Sequence, residues 1–120
     1  MVLNGRCHCG AVSIRISRKP SVLRRCTCSI CYRYGALWAY CSPKTVEVSH
    51  PPDAVRAYSW NDGVIAFCHC TTCGCLTHYE GTEKATEDRI AVNMRMFDPE
   101  AIAGIRLRTF DGADTWKYLD

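Results

Sequence analysis

The sequence has no run of residues long and apolar enough to span a bilayer. Its opening residues, Met1 to Cys7, carry no apolar segment and no cleavage signature of a secretory leader. It has no low-complexity run, no block of like charge and no linker-like stretch. Helical periodicity is almost absent: only Asp98-Pro99-Glu100-Ala101-Ile102-Ala103-Gly104 reads as a helix, with Asp as cap, Pro at the first position and Gly at the end. About one turn fits there. These absences argue against a membrane-spanning helix. They lead to the expectation of one domain, residues 1–120, located in the cytoplasm.

Cysteine is abundant. Ten of the 120 residues are Cys, near the share at which the residue marks a special scaffold. A domain of this size is marginally stable without help. In a reducing compartment dense cysteines mean metal or redox chemistry; the alternative is the disulfide framework of a secreted protein. The spacings favour metal. The formal charge of +3 omits the negative charge that metal-bound thiolates would add, so it does not point to nucleic acid.

The remaining pattern is β. Val12 to Ser17 and Thr45 to Val48 alternate apolar and polar residues. Val55 to Trp60 and Val64 to Phe67 flank Asn61-Asp62-Gly63 and read as a hairpin. Leu37 to Cys41, Leu76 to Tyr79, Arg89 to Met94 and Ile105 to Phe110 complete a mostly-β chain of short strands, with turns carrying the cysteines.

Three cysteine clusters stand out. Cys70-x-x-Cys73-Gly74 is a zinc-knuckle pattern: two intervening residues let both sulfurs reach one tetrahedral ion, and the Gly permits the turn at positive φ. Cys7-x-Cys9-Gly10 is the natural second pair for a closed site, with Cys68 and Cys75 as spare candidates. Cys26-x-Cys28-x-x-Cys31 packs three thiols into six residues, which leaves a fourth coordination position for water or substrate, as in a catalytic site. The closed alternative fills that position with Cys41, Cys68, Cys75 or a histidine. Arg24, Arg25 and Arg33 flank this cluster and are suited to offset its charge or to grip a substrate carboxylate.

His8 and His69 lie between cysteines, and His50 precedes a Pro-Pro turn. His78 has two readings, a metal-site hydrogen-bonding partner or acid–base group and a plain structural histidine. The tryptophans and tyrosines are expected to fill the core, with Tyr32, Tyr34 and Trp38 as the alternative lining of a substrate site.

Gly5-x-Cys7-x-Cys9-Gly10, Cys26-x-Cys28-Ser29-x-Cys31 and Cys70-x-x-Cys73-Gly74, in this order, resemble the glutathione-dependent formaldehyde-activating enzyme family, a domain also carried by centromere protein V. Gly35 to Tyr40, Cys73-Gly74-Cys75-x-Thr77-His78-Tyr79, Asn93-x-Arg95-Met96 and Asp111 to Trp116 extend the resemblance over nearly the whole chain. The resemblance implies a β-tent of small packed antiparallel sheets held by zinc. It implies two zinc ions, a structural one on Cys7, Cys9, Cys70 and Cys73 and a catalytic one on Cys26, Cys28 and Cys31. It implies a carbon–sulfur lyase that reversibly joins glutathione to formaldehyde, with a small-molecule thiol and aldehyde as partners. The chain is shorter than the glutathione-using members, so the particular thiol and aldehyde stay open. A non-catalytic zinc-stabilised protein-binding module is the alternative function. Neither nucleic acid nor membrane is expected as a partner, and the oligomeric state is not legible.

Overall fold

The computed structural model describes residues 2–120. Its strands are β1 (Leu3–Arg6), β2 (Ser13–Ile16), β3 (Val22–Cys26), β4 (Trp38–Cys41), β5 (Val46–Ser49), β6 (Val55–Tyr58), β7 (Ile65–Cys70), β8 (Leu76–Gly81), β9 (Ile90–Asn93) and β10 (Arg106–Phe110). Two short helices, α1 (Ser29–Tyr34) and α2 (Pro99–Ile102), follow β3 and precede β10. No helix among the described residues is long and apolar enough to cross a membrane.

The strands form a three-stranded sheet, β1-β2-β5, and a seven-stranded sheet, β10-β3-β4-β9-β8-β7-β6. The fold is mainly β, as expected. Alternation places β2 correctly: Ile14 and Ile16 are buried while Ser13 and Arg15 are exposed. The expected hairpin forms, with Val55 opposite Cys70 and Tyr58 opposite Phe67. Its turn is held by the Val64 amide, which donates to Asp62 Oδ1 at 3.1 Å.

Several features depart from the sequence reading. β10 pairs with β3 in parallel, Arg106 to Phe110 running beside Val22 to Cys26, so the larger sheet is mixed. A helix, α1, occupies the second cysteine cluster. It forms because the Cys28 sulfur accepts from the Cys31 amide at 3.4 Å, capping its first turn. α2 lies where expected, but the Asp98 side chain makes no cap bond. The cysteines also lie less in turns than expected: Cys68 and Cys70 are within β7, and Cys26 and Cys41 end strands.

The core lies on both faces of the larger sheet. On one face Ile14 and Ile16 of β2 pack against Leu23, Ala39, Val92, Met94 and Phe97. Truncating a buried Ile of this kind to Ala typically costs about 2–5 kcal/mol. On the opposite face Trp38, Phe67 and Tyr79 form an aromatic cluster, with Trp38 and Tyr79 edge to face at 4.9 Å between centroids. Of the tryptophans, only Trp38 is a core residue: Trp60 and Trp116 are 43% and 71% exposed. That corrects the expectation that all three fill the interior.

Candidate metal centres and cleft

The first centre joins the two sheets. Cys7 follows β1 and Cys70 ends β7. The sulfurs of Cys7, Cys9, Cys70 and Cys73 all lie within 4.8 Å of one another. Cys7 Sγ is 3.7 Å from Cys9 Sγ, and Cys9 Sγ is 3.6 Å from Cys70 Sγ. Four thiolates around a tetrahedral zinc stand about 3.8 Å apart, so the donor set fits a metal nearly without rearrangement. The knuckle turn closes as its spacing demands: the Cys70 amide donates to Cys75 O at 2.9 Å, the Gly74 amide donates to Cys70 O at 2.9 Å, and Gly74 sits at φ +78°.

Proton affinities in this quartet are uneven. For Cys73, burial works against the thiolate, but the amides of Cys75 and Cys9 and the sulfurs of Cys7 and Cys70 outweigh it, holding the thiol down to about 5. Amides of Cys73 and Thr72 lower Cys70 as well. Cys9 moves the other way: the Ala11 amide favours its thiolate, but burial and the sulfurs of Cys70, Cys7 and Cys73 push it up to about 11. Mutual repulsion prevents all four from ionising together unless a cation sits among them. Cys75 is half-buried beside the quartet and stays outside it.

The second centre is Cys26, Cys28 and Cys31, whose sulfurs also lie within 4.8 Å of one another. β3 delivers the first, and the α1 cap and first turn deliver the others. Burial raises Cys31, and the Cys28 thiol raises it further. Burial raises Cys26 too. Burial also opposes the Cys28 thiolate, but the Cys31 amide and thiol overcome it, so this thiol is lowered. One sulfur inclined to ionise and two that hold their protons without a counter-charge again suit a cation. Close approach is a condition of this centre: a Cβ on Gly112 would stand 2.7 Å from Cys26 Sγ and 3.3 Å from Cys28 Cβ.

These three cysteines line a cleft of about 820 Å³. Trp38, Phe67, Tyr79, Phe110 and Trp116 supply much of its wall, and the quartet cysteines take no part in it. Trp116 and Asn61, both at the cleft, adopt φ of 59°, which Asn tolerates in a turn and which is costly for the bulky Trp116.

The expected arginine clamps are elsewhere. Arg24 donates to Tyr118 Oη at 2.7 Å and stacks over Tyr40, Arg25 donates to Thr109 Oγ1, and Arg33 donates to Ser29 O. Among the described residues, the cation that lines the cleft is Arg89. Its charge favours the Tyr79 phenolate, although burial dominates and raises that phenol. No motif marks Arg89, since it reaches the cleft from the start of β9, far from any cysteine in sequence. Cys41 is half-buried, with its thiol on Ala39 O. Cys68 and His78 gather with Glu80 in a third group that shares no residue with either centre.

A mainly-β chain with one all-sulfur quartet and a second sulfur cluster opening on a cleft is a cysteine-centred, metal-compatible protein. The family model of the glutathione-dependent formaldehyde-activating enzyme matches residues 2–111, and the chain belongs to that family of enzymes. A crystal structure of a Rhodobacter sphaeroides protein is similar at 26% identity, covering 88% of this chain and 99% of that one, with a TM-score of 0.70. No curated protein matches the sequence at a significant level.

Proposed function

We propose that the protein is a zinc-dependent carbon–sulfur lyase of the cytoplasm, which reversibly adds a small thiol to formaldehyde or another small aldehyde. The observation that carries this reading is the convergence of Cys26, Cys28 and Cys31 on the wall of the large cleft, while Cys7, Cys9, Cys70 and Cys73 converge outside it. On this reading the quartet holds a structural zinc and the three-thiol cluster holds a catalytic one. Family membership supports the thiol and aldehyde classes. Ten free cysteines suit a reducing compartment.

A zinc with an open position supplies a lowered pKa to a bound thiol and polarisation to an aldehyde oxygen. The chain's own residues do the rest. Aromatic walls shed water from the reacting atoms. Arg89 is the counter-ion for a carboxylate on the thiol. The Trp38 indole N–H favours the Cys31 thiolate. In the reaction the thiol sulfur bonds to the aldehyde carbon, the C=O π bond opens onto oxygen, and the proton lost by the thiol ends on that oxygen. The reverse step restores both reactants.

The test is zinc content and thiol-plus-aldehyde turnover for the unmodified protein and for Cys28→Ser. The expected result is loss of one zinc and of turnover in a chain that stays folded. Full zinc loading without turnover for glutathione or simpler thiols would instead favour a zinc-stabilised protein-binding module.

A further inference from the structure

Cys68 and His78 belong to neither centre. They stand opposite each other across the β7–β8 ladder. Phe67 and Tyr79, one step along each strand, line the cleft, so Cys68 and His78 point to the other face of the sheet. Both are buried, at 3% and 4% exposed. Glu80, two residues beyond His78 and on the same face, completes a group whose ligand atoms all lie within 4.8 Å of one another.

Hydrogen bonding engages one imidazole nitrogen. Thr77 Oγ1 lies 3.2 Å from Cys68 O and 2.8 Å from His78 Nδ1, with one proton to give between them. With that proton on Cys68 O, the imidazole N–H at Nδ1 donates to Thr77 Oγ1 and Nε2 carries the lone pair, 3.9 Å from Glu80 Oε2; this is the tautomer that a metal at Nε2 requires. At 3.9 Å, Nε2 and Glu80 Oε2 are too far apart to share a hydrogen bond. The Cys68 thiol donates away from them, to Ala66 O. Two acceptors and a sulfur therefore converge with nothing between them. A histidine fixed through one N–H with the other nitrogen free is the usual posture of a metal ligand.

We propose that Cys68, His78 and Glu80 form a third metal site, for a divalent transition ion of the zinc type, on the face of the sheet opposite the cleft. A sulfur–nitrogen–oxygen set suits zinc and is foreign to magnesium and calcium, which take oxygen ligands. Nitrogen and oxygen ligands on one tetrahedral zinc stand about 3.4 Å apart. Glu80, whose side chain is 57% exposed, closes the difference by a small rotation. Glu80 also lines a separate cavity of about 300 Å³ with Glu87, Asp88 and Arg89, which leaves room beside its carboxylate for a completing water.

The experiment measures zinc bound per chain after saturation with Zn²⁺ under reducing conditions and removal of excess, for the unmodified protein and His78→Gln. The expected result is one equivalent fewer in the variant. Equal content in the two proteins overturns the site. The difference, not the absolute count, decides, so failure of the three-thiol cluster to hold metal would not disturb the outcome. Should His78→Gln lose more than one equivalent, its fold has been damaged and Glu80→Gln, at an exposed side chain, decides. A rise of at least about 10-fold in the dissociation constant of one equivalent supports the site, and unchanged affinity for every equivalent overturns it.

Discussion

The indole Nε1–H of Trp38 is buried without a hydrogen-bond partner, and its effect falls on Cys31, whose thiolate it favours against the burial that opposes it. An unpartnered buried donor costs about 1–3 kcal/mol. The cost is recovered when the sulfur beside it becomes an anion, as it must on binding a metal. With a metal on the three-thiol cluster, the pair would supply a donor already aimed at one of its sulfurs.

Trp38→Phe keeps an aromatic ring in the cluster and removes the donor together with part of the indole's volume. It is expected to weaken metal retention by Cys26, Cys28 and Cys31 by about 10-fold. Competition with a chelator of known affinity measures this. The equivalent held by Cys7, Cys9, Cys70 and Cys73 should be unaffected, and equal weakening of both would show a general loss of packing instead.

Acid should empty the two centres in order. Protons compete with metal for each sulfur, so a thiol with high proton affinity surrenders its metal at higher pH. In the three-thiol cluster Cys26 and Cys31 are raised and only Cys28 is lowered. The quartet has Cys70 lowered and Cys73 held down to about 5, against one raised thiol, Cys9. On lowering pH the three-thiol cluster is expected to release first and the quartet last. A chromogenic chelator followed against pH should show a separate step for each of these two centres, and the earlier of the two should vanish in Cys28→Ser.

Arg89→Met removes the cleft's cation while keeping much of its apolar stem. For a thiol bearing a carboxylate, KM should rise about 10-fold or more, the worth of one charge-assisted contact. For a neutral thiol such as 2-mercaptoethanol, KM should hardly change. An equal effect on both thiols would mean that Arg89 supports the wall rather than the substrate.

The short strands and the two cysteine pairs of the quartet were legible because each rests on local rules, while the joining of the pairs came from the order of motifs. Alternation marks β2, Asn61-Asp62-Gly63 marks the β6–β7 hairpin, and the knuckle turn around Gly74 follows from its spacing. What escaped reading depends on distant partners. β3 is half polar, Arg24-Arg25, and becomes a strand because β10 and β4 flank it. α1 is six residues long and capped by a thiol, a signal that propensity does not carry. Trp60 and Trp116 look like core residues in composition, yet line the cleft because a turn and the segment after β10 carry them there. Arg89, Glu80 and Gly112 meet their sites only through sheet register.

Cys9 and Cys70 are 61 positions apart and their sulfurs are 3.6 Å apart. A metal shared between them acts as a covalent staple would, closing a loop of that length. By chain-entropy arithmetic such closure is worth about 4 kcal/mol, a large share of the stability of a domain this small. A disulfide would give the same constraint but would yield to cellular reductants. A thiolate–metal link would not, and would be cut instead by chelation, acid or oxidation of the sulfurs. With zinc in the quartet, the hold of one sheet on the other would depend on metal supply, and reductants would leave it intact.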